Sequence, residues 1–158
     1  MDIYNYLHKD HLNVSKLFSK IIDSQDPEER KRLFIEVKKE LELHSDPERD
    51  TFYKALEKRA KGKEDAEHGE EEHKEIKKAL KAVDKSETES QWLINIGKLL
   101  HIVEHHVEDE ETTMFEDGRK IISDTKAELL VEEMVSLKDK LRSSKKFIET
   151  FGNGAPQR

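Results

Sequence analysis

An all-α fold, an up-down-up-down four-helix bundle carrying one additional C-terminal helix, is what the sequence predicts, on three observations. Three prolines and six glycines in 158 residues leave few places to break a helix. Lys, Glu and Leu, all strong helix formers, are abundant along the chain. The apolar residues recur at i, i+3, i+4 and i+7 rather than in alternation, in five segments separated by short polar stretches.

The first helix is expected from Ile3, capped by Asp2, to about Asp23, with Ile3, Leu7, Val14, Leu17, Phe18 and Ile21 on one face. Asp26-Pro27-Glu28-Glu29 starts the second, with Asp at the N-cap, Pro at the first helical position and Glu at the third. That helix runs to about Ala60 and is ended by Lys61-Gly62-Lys63. The third covers about Asp65 to Asp84 through Ile76, Ala79, Leu80 and Val83, and the polar Lys85 to Glu87 stretch is a loop. The fourth occupies about Thr88 to Glu116, carries Trp92, Ile96, Leu99, Ile102 and Val103, and ends at Gly118. The fifth, about Asp124 to Thr150, carries Leu129, Leu130, Met134, Leu137, Leu141 and Ile148. Residues 1–120 thus form the bundle, 121–150 a C-terminal helix packed on the bundle or on a partner, and 151–158 a disordered tail.

Composition excludes several chemistries. Without cysteine there is no disulfide scaffold, no thiolate nucleophile and no thiolate metal site, so a metal would be held by nitrogen and oxygen donors. A formal charge of −7, without a basic patch interleaved with aromatics, argues against nucleic acid. Apolar runs fall far short of the roughly 20 residues of a membrane helix, and Met1-Asp2-Ile3 does not begin a signal peptide, so no membrane partner and a cytoplasmic location are expected.

Eight histidines in so polar a chain raise the question of where each one faces. At about 100° per residue, His11 falls within about 80° of Leu7, Val14, Phe18 and Ile21, in the stripe that must face the core. His44 shares the line of Leu33, Val37 and Leu41, and Glu48 follows one turn later, about 40° away. His73 lines up with Ala66, Gly69 and Leu80, while His106 and Glu110 continue the line of Trp92, Leu99 and Val103. All six lie near mid-helix, so alternating helix directions keep them at one level. Six such groups inside an apolar bundle would cost several kcal/mol unless paired, and a bound metal centre resolves that cost. His68 and His101 point about 140°, and His105 about 100°, from the ligand lines of their helices, toward solvent or a rim. His8 sits at the edge of its stripe, as a rim residue or a donor behind the ligands.

If both carboxylates bridge two metals, the six residues and a bridging oxo or hydroxo group supply about ten of the roughly twelve bonds that two six-coordinate ions need. The open positions suit a small molecule such as dioxygen or peroxide at a non-haem diiron centre. Zinc more often settles for about four ligands.

The chain resembles the haemerythrin-like family with HHE cation-binding domains. The residues that carry the resemblance are Asp10-His11 with Leu17-Phe18, His44-x-x-x-Glu48, Glu72-His73-x-x-Ile76 and His106-x-x-x-Glu110-Glu111-x-x-Met114-Phe115. Any one motif is weak, but two HxxxE motifs with single histidines on two other helices, in this order, are specific over about residues 1 to 120. The resemblance implies a four-helix bundle around two iron ions with oxo and carboxylate bridges, used for oxygen binding, sensing, iron handling, or reactions with peroxide or nitric oxide.

Two departures qualify it. Oxygen carriers of the family have two histidines one turn apart in the third helix, and here Gly69 stands one turn before His73. Glu70 is an alternative donor, although a solvated glutamate in the run Glu70-Glu71-Glu72 is the preferred reading. Pro47 lies between His44 and Glu48 and removes the hydrogen bond to the Leu43 carbonyl; a kinked but continuous helix is expected rather than a break. Some relatives use a tyrosine of this helix as an extra ligand, but Tyr53 points well away from the line of His44 unless the kink rotates it. Spacing leaves open whether Glu70 or Tyr53 joins the ligands. The loss of the carrier's second histidine favours a diiron protein that reacts with peroxide or dioxygen, as a catalase-like or other redox enzyme. The alternative is a sensor or iron-binding module, with the C-terminal helix as a homodimer or partner surface.

Overall fold

The computed structural model describes residues 1–152, and all its regular elements are helical. They are α1 (Ile3–Asp23), α2 (Pro27–Glu48), α3 (Lys54–Leu56), α4 (Ala60–Asp84), α5 (Glu89–Asp109), α6 (Phe115–Ile121), α7 (Asp124–Arg142) and α8 (Lys145–Phe151). Two π-helical turns, Arg49–Tyr53 and Glu110–Met114, continue α2 and α5. Among the described residues, no helix is long and apolar enough to cross a membrane.

The starts follow the capping residues. The carboxylate of Asp2 accepts from the Asn5 backbone N–H, that of Asp26 from Glu28 with Pro27 just inside, and the Thr88 hydroxyl from Gln91. Pro47 lies inside α2 and the chain stays helical across it, as the continuous-helix reading requires.

The boundary between the second and third predicted helices differs from expectation. The chain breaks at 57–59, and Lys61-Gly62-Lys63 lies within α4. A Cβ on Gly62 would stand 2.0 Å from the Leu56 carbonyl oxygen, so this glycine marks a close approach of α4 to the α3 backbone rather than a helix end. Gly118 is likewise interior to α6, which runs on to Ile121. The expected C-terminal helix is two helices, because Ser144 caps a new start by accepting from the Phe147 N–H. Leu129, expected in its apolar stripe, is 47% exposed. Gly152 terminates α8 at φ 83°, and the remainder of the expected tail lies outside the described residues.

The chain divides into two compact units, Met1–Phe52 with the segment from Asp124 onward, and Tyr53–Ser123. In the first, α1 pairs with α2 and α7 packs on both. Ile3, Leu7, Phe18, Ile21, Val37, Phe52, Leu130 and Met134 are buried there, with the Tyr4 ring edge-on to Phe52. In the second, α4 pairs with α5, and α3 and α6 pack against α4. Leu56, Ala66, Ile76, Val83, Ile96, Leu99, Met114 and Phe115 are its buried apolar residues.

The second unit also buries Asp65, whose carboxyl is pushed up to about 6 by burial and by the neighbouring Asp117 carboxylate, against the pull of Lys61. The folded state therefore holds this proton more tightly than the unfolded chain, where an aspartate titrates near 3.9. Stability from this group is full below that value and is lost as pH rises through about 6. Asp65→Asn, neutral at every pH, is expected to raise the stability of the metal-free protein by about 1 kcal/mol near pH 7.5, with the gain fading toward about pH 4. Urea denaturation at the two pH values measures it.

Candidate metal centre

In the first unit α1 presents His11 and α2 presents His44 and Glu48 one turn apart. Each offers a ligand atom within 4.8 Å of the others, and the His11 and His44 ring centroids are 5.2 Å apart. The Nε2 atom of His44 lies 3.1 Å from Glu48 Oε1. On its other side Nδ1–H donates to Asp10 Oδ2 at 3.1 Å, and Lys138 from α7 donates to the same oxygen at 2.5 Å. Burial alone would push the His44 imidazole down, but the Glu48 and Asp10 carboxylates outweigh it and hold its pKa well above the usual value. Asp10 is held low by His44 and Lys138 against the effect of its burial. Burial lowers the Lys138 ammonium, and Asp10 and Tyr6 more than restore it, leaving its pKa raised.

The second unit repeats this arrangement 62 residues later in sequence. His73 on α4, His106 on α5 and Glu110 at the start of the π-helical turn have ligand atoms within 4.8 Å of one another. The His73 and His106 rings are 4.8 Å apart, and His106 Nε2 is 3.6 Å from Glu110 Oε2. Glu72, the counterpart of Asp10, accepts from His106 Nδ1 at 2.8 Å. Each triad thus combines two imidazoles with one carboxylate, and in each one imidazole is fixed from behind by a second carboxylate, leaving its Nε2 to face a ligand. Such a nitrogen and oxygen donor set fits iron and comparable first-row ions.

Tyr53 is where spacing misleads. Nine residues beyond His44 in a regular α-helix it would point to the opposite side, but an extra residue in the π-helical turn sets the phase back by about 100°. The side chain is buried, stacks on the His73 ring at 5.3 Å, lies 3.4 Å from His73 Nε2 and donates to Glu110 Oε2 at 2.7 Å. A Cβ on Gly69 would meet its hydroxyl at 2.5 Å, so the glycine that stands where carriers have a histidine provides the space the phenol fills. Glu70 faces the opposite nitrogen of His73, 3.9 Å from Nδ1. His68, His101 and His105 are exposed, as their helical phases require, and His8, expected at the edge of its stripe as a rim residue or a donor behind the ligands, is exposed too.

Comparison with known proteins gives three matches. The model of the haemerythrin HHE cation-binding domain matches residues 2–117. The solved structure of an HHE cation-binding domain-containing protein from Mycobacterium kansasii superposes with a TM-score of 0.83 at 25% identity, covering 96% of this chain and 94% of that one. A protein of Nostoc sp. named DNA nickase is 27% identical over 143 residues; the match takes in 90% of this chain and 40% of that protein.

Because Asp10 and Glu72 orient the imidazoles in front of them, Asp10→Asn and Glu72→Gln are expected to weaken metal retention by roughly 10- to 100-fold in the affected unit. Metal content after dialysis against graded chelator reads this out. Unchanged retention in both variants would remove the orienting role.

Proposed function

The chain belongs to the haemerythrin HHE cation-binding family, and on that premise we propose that it is a non-haem diiron protein reacting with peroxide or dioxygen. One iron would be held by His11, His44 and Glu48, the other by His73, His106 and Glu110 with the Tyr53 phenol as a further donor. The observation that carries this reading is the duplicated triad, whose donors sit at identical sequence spacing and whose His44 and His106 imidazoles are each anchored by a carboxylate. Iron at such donors supplies redox chemistry toward dioxygen, peroxide or nitric oxide at coordination positions the protein leaves open. The chain's own residues hold the donors in place and away from bulk water, and the hydrogen bond from the Tyr53 hydroxyl to Glu110 Oε2 at 2.7 Å positions the phenol oxygen beside that donor set.

Nicking is not carried over from the Nostoc relative. This chain spans 40% of that protein, and its net charge of −7 opposes binding to a phosphate backbone.

Purified protein is expected to hold two irons per chain with near-ultraviolet oxo-bridge absorption, and stopped-flow peroxide decay should exceed that of the same iron free in solution. His106→Ala should lose both iron and decay. A single zinc per chain would overturn the diiron assignment, and decay no faster than free iron would overturn the enzymatic one.

A second reading, an iron or oxygen sensor, is favoured by one contact. Lys138 of α7 is bonded to the Asp10 carboxylate that also anchors His44, so occupancy of that triad bears on how α7 is held. Slower amide hydrogen exchange in α7, or a change of oligomeric state, on going from apo to iron-loaded protein is the expected signature. Identical behaviour of the two forms would remove the sensing role.

A further inference from the structure

We propose that the second unit carries an additional divalent-cation site on its outer surface, formed by His68 and Glu72 of α4 with His105 and Asp109 of α5, and suited to a borderline transition ion such as zinc. It is distinct from the triads, since none of these four residues belongs to them, and it does not depend on the identity of the metal they hold.

The pattern is a paired one. His68-x-x-x-Glu72 and His105-x-x-x-Asp109 each set an imidazole and a carboxylate one turn apart on one helix face, and α4 packs against α5. The four side chains converge. His68 Nε2 lies 3.2 Å from Asp109 Oδ2 and 3.4 Å from Glu72 Oε2, and His105 Nε2 lies 3.3 Å and 3.7 Å from the same two oxygens. A tetrahedron with metal–ligand bonds of about 2.0–2.1 Å has edges of about 3.3–3.4 Å, so the four imidazole–oxygen separations lie close to four of the six edges of a four-coordinate zinc site; His68, Glu72 and Asp109 have ligand atoms within 4.8 Å of one another, and His105 completes the set by closing on the same two oxygens. Two imidazoles and two carboxylates are donors that zinc accepts. A cavity of about 320 Å³, bounded in part by His68, Asp109 and Thr113, adjoins the cluster and gives an ion access to solvent.

The first unit supplies an independent reason for a cation here. Glu72 is the counterpart of Asp10: both are largely buried carboxylates fixed behind a triad imidazole. The Asp10 carboxylate is neutralised by the Lys138 ammonium at 2.5 Å, which also lies 4.8 Å from the centre of the Tyr6 ring. Sixty-two residues after Tyr6 stands His68, and 62 after Leu43 stands His105. Where the first unit brings a lysine from α7, the second surrounds the equivalent carboxylate with metal-binding imidazoles. Glu72 then has one oxygen on His106 and the other on the outer cluster, so an ion bound outside polarises the carboxylate that orients a triad ligand.

Calorimetric titration of the purified, iron-loaded protein with zinc chloride, with iron measured on the same samples, tests this. One zinc per chain beyond the resident metal is expected. The double variant His68→Ala/His105→Ala should bind it at least about tenfold more weakly, as loss of two ligands demands, with iron content and circular dichroism unchanged. His101→Ala, which removes an exposed imidazole one turn before His105, should bind zinc as the parent does. No additional zinc, equal affinity in the double variant, or zinc uptake matched by iron loss would each overturn the site.

Discussion

A hydrogen bond from an imidazole Nδ1–H to a buried carboxylate is the interaction on which the rest of the architecture depends. An imidazole inside a helical unit can turn either nitrogen inward, and only one orientation is useful to a ligand. Asp10 fixes His44 at 3.1 Å and Glu72 fixes His106 at 2.8 Å, so in both cases Nε2 is the nitrogen presented beside the triad carboxylate. Placing an anchoring carboxylate there brings a second obligation. A buried carboxylate left without a counter-charge costs several kcal/mol. In the first unit Lys138 meets the obligation, which explains why a lysine of α7, a helix held on α1 and α2 by Leu130 and Met134, is itself largely buried.

Helical phase then decides which further groups reach the donors. The two π-helical turns sit at or just after the triad carboxylates, from Arg49 and from Glu110. Local chemistry accounts for them. Pro47 withholds a backbone donor, and threonine hydroxyls compete for carbonyls four residues back, Thr51 with that of Pro47 at 2.7 Å and Thr112 with that of Glu108 at 2.6 Å. The consequence in the first turn is that Phe52 packs against Tyr4 while Tyr53 is delivered to His73 and Glu110. Gly69 and Tyr53 form one exchange: the residue that could have been a ligand is reduced to a hydrogen so that a phenol from another helix can occupy the space.

Features governed by local rules were legible in the sequence. Asp2, Asp26 and Thr88 cap helices by short-range hydrogen bonds, and most residues of their apolar stripes are buried, with Leu17, Leu33, Trp92 and Ile102 only partly so. The inward phases of His11, His44, Glu48, His73, His106 and Glu110 follow from the same regular geometry, and all six side chains are largely buried. What escaped depends on departures from that geometry or on contacts remote in sequence. Gly62 reads as a helix stop until the Leu56 carbonyl is seen to occupy the space of its Cβ. Tyr53 reads as outward because a uniform 100° step cannot register an inserted residue. Its signals were present but indirect, in a proline just before the turn and a threonine within it.

The outer faces of α4 and α5 follow the same division. Phase correctly assigns His68 and His105 to the exposed side, and taken helix by helix each is an unremarkable surface histidine. Only the pairing of α4 with α5 reveals that two imidazole–carboxylate steps meet at a single point, around an oxygen of Glu72. Duplication makes that meeting meaningful. Two units built on one spacing face the same electrostatic problem behind their second triad imidazole, and the first solves it with a covalently attached cation, Lys138. The second unit instead offers imidazoles, which carry charge only when protonated and otherwise act as ligands. Two carboxylates and two imidazoles at these distances make a coordination sphere suited to an ion, and the difference between the units is therefore a difference in where the positive charge comes from.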